Sequence, residues 1–283
     1  MLLTMGQLRQ CIMAEVKKVG ADTYEVNSDD IMSALNPRKF KESESRGEAV
    51  FVPLRFKSKW DKPRFAGELE LYNVVSRLDI SPKELLTTLK RPLVKDGITM
   101  QAPERAQAIV FGIMASQIAR YFEDRVDLVT YPESSSTMAR DLAHAVAQKL
   151  DLPIETVVAG MTRKKKPEEL EIDPEEWENF RAAARARGKD DVYIANTRKR
   201  AENMIKRWQR GEVPAIKDIP HENRKFLALH TAGDDIHQAR GKRVLVVDDN
   251  VDKTETLRRI AQELRKAGAK DVHLAAGWDY AER

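Results

Sequence analysis

Four consecutive apolar residues, Val244-Leu245-Val246-Val247, run straight into two carboxylates, Asp248 and Asp249, and restrict the fold more than any other stretch. An unbroken apolar run of this length suits a strand buried on both faces, as in a parallel sheet. A polar loop follows, and then a helical pattern from Leu257 to Lys266. The acids sit at the carboxyl end of the strand, where open α/β sheets bind ligands. The helix start behind them offers backbone N–H groups and a positive dipole end, a natural place for phosphate. Taken alone, a plain buried strand followed by a capped helix reads the same way.

A second stretch has the same grammar. Val126 to Pro132 reads as a strand, Glu133-Ser134-Ser135-Ser136 as a polar loop, and Thr137 to Leu150 as a helix. This again builds a phosphate-sized nest with serine hydroxyls as added donors. A capped turn is the plainer alternative, since Ser is a common N-cap. Further strands are expected at Ile154 to Gly160, Arg224 to His230, Lys242 to Val247 and Val272 to Gly277, with Trp278 and Tyr280 directly after the last. The alternation of strands and helices predicts an α/β fold: an open parallel sheet with helices on both faces.

A long helical insertion, about residues 161–222, separates the second strand from the third. Asp173-Pro174-Glu175-Glu176 caps one helix, which ends near Gly188, and a second spans about Asp190 to Arg210. The second helix carries Arg198, Lys199, Arg200, Lys206, Arg207 and Arg210, with Trp208 among them. Such a run is either a solvated face or an arm that contacts nucleic acid. Residues 1–100 read as a helical and mixed appendage before a core of residues 101–283. It holds a helix from Thr4 to about Lys18, an extended Ala49 to Lys57 placed by Pro53 at an edge or a bend, and a helix from Leu69 to Leu78. Lys57 to Arg64, with Trp60, is ordinary surface or a nucleic-acid patch. Ser81-Pro82-Lys83-Glu84 and Pro103 each open a further helix.

Charged residues make up 33% of the chain and the net charge is +4, which permits an anionic ligand and does not demand one. The single cysteine, Cys11, excludes a disulfide framework and a cysteine-rich zinc site. No stretch approaches ~18 uninterrupted apolar residues, and the amino terminus lacks a signal-peptide pattern, so no membrane span and a cytoplasmic location are expected. The sequence does not set the oligomeric state.

Val-Leu-Val-Val-Asp-Asp-Asn resembles the first strand of a response-regulator receiver, but that reading calls for roughly a hundred residues after the motif, and the chain ends at Arg283. Strand, acid pair, short loop and helix also resemble the signature of the type I phosphoribosyltransferases, which lies late in the domain. The resemblance implies that Asp248 and Asp249 hold the ribose hydroxyls of phosphoribosyl pyrophosphate. It implies that Asp252, Lys253, Thr254, Glu255 and Thr256 wrap its 5′-phosphate. It places Asp252 near an acceptor base as the group that manages the base's ring proton. Tyr131, Ser134, Ser135 and Ser136 resemble the pyrophosphate loop, Arg163 a flap residue that reaches pyrophosphate, and Trp278 a residue lining the base pocket. Mg²⁺ is the implied cofactor, with Asp248 and Asp249 as its protein ligands. The chain departs from the pattern at Thr254, where the family places Gly, and at Glu133 and Glu255, which add negative charge beside the phosphates. Two readings therefore stay open: a phosphoribosyltransferase acting on a nucleobase-type acceptor, or an inert scaffold of the same fold that regulates or binds nucleic acid.

Overall fold

Val244 to Val247 are completely buried in the middle of a parallel sheet. The computed structural model of the protein describes residues 18–20, 23–25, 31–32, 35–37, 43–45, 48–52, 54–56, 82–89, 91–132, 137–212, 226–227, 229–251 and 255–279. The expected helix 69–78, Cys11, the Trp60 patch and both polar loops, 133–136 and 252–254, lie outside the described residues. Lys18, the expected last residue of the first helix, begins a strand instead.

The described strands are β1 (Lys18–Gly20), β2 (Thr23–Glu25), β3 (Leu35–Pro37), β4 (Ser43–Ser45), β5 (Glu48–Phe51), β6 (Leu54–Phe56), β7 (Leu93–Lys95), β8 (Ile98–Gln101), β9 (Leu128–Thr130), β10 (Val157–Val158), β11 (Thr162–Lys164), β12 (His230–Ala232), β13 (Arg243–Val251) and β14 (Asp271–Asp279). The helices are α1 (Pro82–Thr87), α2 (Glu104–Phe122), α3 (Met138–Lys149), α4 (Pro174–Ala186), α5 (Asp191–Gln209) and α6 (Glu255–Lys266).

The main sheet runs β10-β9-β13-β14-β5-β4. The first five of these strands are mutually parallel, and β4 closes the row antiparallel. Even-numbered β13 residues, Val244 and Val246, pack with Leu257, Ile260, Ala261 and Leu264 of α6. Odd-numbered ones, Leu245 and Val247, pack with α2 and α3 through Met114, Ile118, Leu142 and Val146. Both faces are thus covered, which explains why the strand reads as continuously apolar rather than alternating. The i, i+3, i+4, i+7 spacing on α6 is the helical half of the same arrangement.

Several expected strands take other positions. Ala49 to Lys57 is two strands, β5 and β6. Both pair with β14, at Leu274-Ala275 and at Trp278-Asp279 respectively, so residues assigned to the appendage extend the core sheet. The described residues of the expected third core strand, 226–227 and 229–230, take no place in the main sheet. Its last residue starts β12, which pairs antiparallel with β11 in a separate ribbon. A 3₁₀ turn, Ile154–Thr156, replaces the first half of the expected second strand. β13 and β14 run past their expected ends to Val251 and Asp279, because each pairs with the other to the last residue.

Asp127 ties β9 to β13 at their amino ends. Its carboxylate accepts the Arg243 backbone N–H at 2.8 Å and the Arg243 guanidinium at 2.6 Å, and its own N–H donates to the Arg243 carbonyl. The side-chain bond from Arg243 contributes most to holding the Asp127 carboxyl down at about 2, with the Arg243 backbone N–H second. A carboxylate with a lowered folded pKa stabilises the fold above its unfolded value and loses that contribution as pH falls through the folded one. Asp127→Asn is therefore expected to lower the urea midpoint at pH 7. The gap to wild type should close as pH drops from 3.8 toward about 2, checked by denaturation at stepped pH.

Candidate functional site

The registers Leu128↔Val244 and Thr130↔Val246 fix where the two strand ends meet. Asp248 lies two residues beyond the last of these pairs, level with Pro132, where the chain leaves β9 for the 133–136 loop. Because β9 and β13 are parallel, α3 and α6 start at the same edge of the sheet. Two helix amino ends with a carboxylate pair between them favour a ligand with more than one anionic group.

Asp248 is half-buried, and its Oδ1 accepts the Asp249 N–H at 2.8 Å. Asp249 is buried, at 8% exposure. Both are inside β13, not beyond it as expected, so their side chains leave opposite faces. Asp248 continues the face of Val244 and Val246 toward α6, and Asp249 continues the face of Leu245 and Val247 toward α2 and α3. Gly277 of β14 is needed beside Asp249. A Cβ there would stand 2.8 Å from the Asp249 carbonyl oxygen and 2.7 Å from Met114 Sδ.

The opposed directions bear on the metal. With the two carboxylates on alternate faces of the strand, an Mg²⁺ ion here would be held by one of them together with ligand oxygens and water. Among the described residues no group of three or more His, Cys, Asp or Glu side chains is placed to hold a metal. Magnesium commonly binds through one or two carboxylates together with substrate phosphates and water, so at this edge it would accompany the ligand.

The other expected contacts are distributed unevenly. Tyr131 is half-buried at the β9 end, next to Pro132. Thr137, at the start of α3, makes no side-chain capping bond. Ser134, Ser135, Ser136, Asp252, Lys253 and Thr254 lie outside the described residues; Glu255 opens α6 and Thr256 is half-buried behind it. Two of the expected residues make other contacts in the structure. Trp278 is inside β14 at 1% exposure, in the core with Phe51 and Met114, and offers no face to a base. Arg163, on β11, gives both terminal nitrogens to Glu169 at 2.6 Å each, so its guanidinium is engaged within the insertion.

The insertion has its own core, built from Leu170, Trp177, Ile194, Ala201, Trp208, Phe226 and neighbours. Trp208 therefore belongs to the packing of the basic helix rather than to its charged face. Arg198 pairs with Glu202, and Arg207 and Arg210 share Glu212, so two carboxylates engage three of the six cations. The insertion's two ends meet where Gly233 lies against Gly160. A Cβ on Gly233 would fall 1.9 Å from the Gly160 carbonyl oxygen, and the Gly233 N–H donates to the Met161 carbonyl.

Sequence reasoning missed the joint between the insertion and α6. Arg258 Nη1 donates to Glu176 Oε1, and Arg259 Nη1 to Asp173 Oδ2 at 2.7 Å, with both arginines buried. Gln262 Nε2 adds a bond to Glu176 at 3.3 Å. Burial pushes the Glu176 carboxyl upward, but Arg258, Arg259 and Gln262 outweigh it and the net shift is downward. Asp173 also caps α4 by accepting the Glu176 N–H, and that half of its role was legible. His230 is buried beside this joint with neither ring nitrogen hydrogen-bonded. Burial, then Lys164 and Arg259, lower its pKa to about 4.

The site is thus an α/β strand-end site of the kind that takes phosphorylated ligands. The family described as the phosphoribosyl transferase domain matches residues 104–283, more than half of the chain. The chain belongs to this family. An amidophosphoribosyltransferase of Methanocaldococcus jannaschii is 42% identical over 60 residues, 21% of this chain and 13% of that protein. Among solved structures, the allosteric regulatory enzyme of purine biosynthesis aligns with 21% identity and a TM-score of 0.33 over 68% of this chain and 29% of that one. The glutamine phosphoribosylpyrophosphate (PRPP) amidotransferase from B. subtilis, complexed with ADP and GMP, aligns with 19% identity and a TM-score of 0.31 over 68% of this chain and 30% of that one. The chain accordingly spans less than a third of the length of these relatives. No described helix is long and apolar enough to cross a membrane.

Two measurements check this description. Glu176→Ala leaves Arg258 buried without its carboxylate and should cost about 3 kcal/mol in equilibrium unfolding. His230 takes its proton in the unfolded chain near 6.5 and in the folded one only near 4. Stability should therefore fall as pH drops through that window, and His230→Leu should flatten the fall in a pH series of melting temperatures.

Proposed function

We propose that this chain binds phosphoribosyl pyrophosphate at the joint carboxyl edge of β9 and β13 and transfers its phosphoribosyl group to a nucleobase-type acceptor. The observation that carries the reading is the register of β9 on β13, which brings an acid pair and two helix amino ends to one edge in a chain of this family. Asp248, the half-buried acid of the pair, engages the ribose hydroxyls, and the Asp249 N–H holds its carboxylate in place. The 5′-phosphate lies toward the α6 start and the pyrophosphate toward the α3 start. The bond from the anomeric carbon to the pyrophosphate oxygen breaks, a bond to the acceptor nitrogen forms, and Asp252 receives the nitrogen's proton. Magnesium, bound together with the pyrophosphate, would supply charge balance for the leaving group.

The engaged Arg163 and the buried Trp278 favour a second reading, in which the fold binds its ligand without turnover. Calorimetric titration with phosphoribosyl pyrophosphate and magnesium tests the first step. Wild type should bind, and Asp248→Asn with Asp249→Asn should weaken binding at least tenfold, about 1.4 kcal/mol. Absence of binding by the wild type would sink both readings. Binding without pyrophosphate release, across a panel of free bases, would select the second.

A further inference from the structure

Away from the strand ends, a cavity of about 430 Å³ is lined by residues of α4, the α4–α5 turn, α5 and α6. That volume is in the range of small-molecule sites, about 300–1,000 Å³. Arg258, Glu176 and Ala184 are its buried residues, while Arg187, Lys189 and Tyr193 are exposed and Phe180 is half-buried.

The charges do not balance within this lining. Three cations meet one carboxylate, and that carboxylate already accepts from Arg258 Nη1. Arg258 Nε and Nη2 are buried with no hydrogen-bond acceptor. Leaving buried donors unsatisfied costs about 1–3 kcal/mol each, more for charged groups, so a folded protein ordinarily supplies acceptors for them. Nearby cations on the same hairpin do find carboxylates: Arg181 pairs with Glu178, and Arg185 with Asp191. Arg187 and Lys189 pair with none among the described residues, although both border the cavity. Lys189 instead stands over the Tyr193 ring, 5.2 Å from its centroid. Tyr193 keeps 43% of its surface exposed, unusual for an aromatic in a helix with an apolar side available to it. Phe180 brings a second ring to the lining, and behind it lie Trp177 at 5.2 Å and Phe226 at 5.3 Å.

Three cations against one carboxylate, with two rings, around one cavity describe a single kind of occupant. We propose that this cavity binds a small organic anion that joins a phosphate to a flat ring, in the size class of a nucleoside monophosphate. The phosphate neutralises Arg187 and Lys189 beside the Arg258 guanidinium, as charge-assisted bonds to phosphate do elsewhere. The ring packs on Phe180 and Tyr193. None of the strand-end residues takes part, so the proposal does not rest on phosphoribosyl transfer. The ligand would bridge the α4–α5 hairpin to α6, the helix that starts directly behind the loop after the acid pair.

The test is calorimetric titration of the full chain with adenosine 5′-monophosphate, with inorganic phosphate and adenosine as its two halves. Wild type should bind the monophosphate more tightly than either half. Arg187→Ala with Lys189→Ala should weaken it at least tenfold, as should Tyr193→Ala. All three positions are exposed, so these variants should keep the wild-type unfolding midpoint. Asp248→Asn with Asp249→Asn should leave the affinity unchanged, and saturating phosphoribosyl pyrophosphate should not displace the nucleotide. No binding by the wild type at about 1 mM, the weak end of specific affinity, would overturn the proposal. So would affinity that survives the Arg187 and Lys189 changes, or that disappears with the acid pair and so belongs to the strand ends. Equal affinity for inorganic phosphate and the nucleotide, together with no effect of Tyr193→Ala, would rule out the ring as part of what is recognised.

Discussion

The parallel pairing of β9 with β13 is the constraint on which the rest of the molecule depends. Asp127 and Arg243 hold the two strands at their amino ends through backbone and side-chain bonds at once. With that end pinned, the register along the pair leaves no freedom at the other. A slip of one residue would move the acid pair relative to the β9 end and reverse which core each valine of β13 faces. Packing and function therefore depend on the same register. The two apolar cores accept Val244 to Val247 in only one phase, and that phase sets which acid faces α6 and which faces α2 and α3.

The helical insertion is governed by different physics. Its core is separate from the sheet's, and its attachment to α6 is ionic rather than apolar. Buried ion pairs are costly to desolvate and stabilise less than their Coulomb energy implies, but they are demanding about geometry. Arg258 with Glu176 and Arg259 with Asp173 thus define the orientation of α4 on α6 more than they strengthen it. His230, neutral and buried beside them, keeps a third positive charge out of the joint at neutral pH.

The features legible in the sequence were those decided locally. The apolar run of β13 could hardly be anything but a doubly covered strand. Helix starts marked by Pro103, by Asp173 with Pro174, and by Asp190 all stand where their caps place them. Asp96-Gly97, with both residues at positive φ, turns β7 into β8, and this was a legible hairpin signature that the reading passed over. What was not legible depends on partners distant in sequence. The apolar stretch ending at His230 does not reveal whether it joins the main sheet or a side ribbon. Nothing near Phe51 says that it will pair beside Ala275. Trp278 looked like a residue after a strand because the strand's last two residues are held by β13 and β6, not by their own pattern. Arg258 and Arg259 looked like the wet side of an amphipathic helix, since only a tertiary contact supplies the carboxylates that bury them.

The contact between Gly160 and Gly233 has a consequence for how such a chain can change over time. The described residues between Met161 and Ala232 leave the sheet and return to it through one narrow neck. Whatever grows or shrinks beyond that neck leaves the strand registers untouched, because loop closure depends only weakly on length once the ends are fixed. The insertion is thus the part of this architecture most open to replacement. A lineage could exchange it wholesale, and with it any ligand it holds, while inheriting the sheet edge intact.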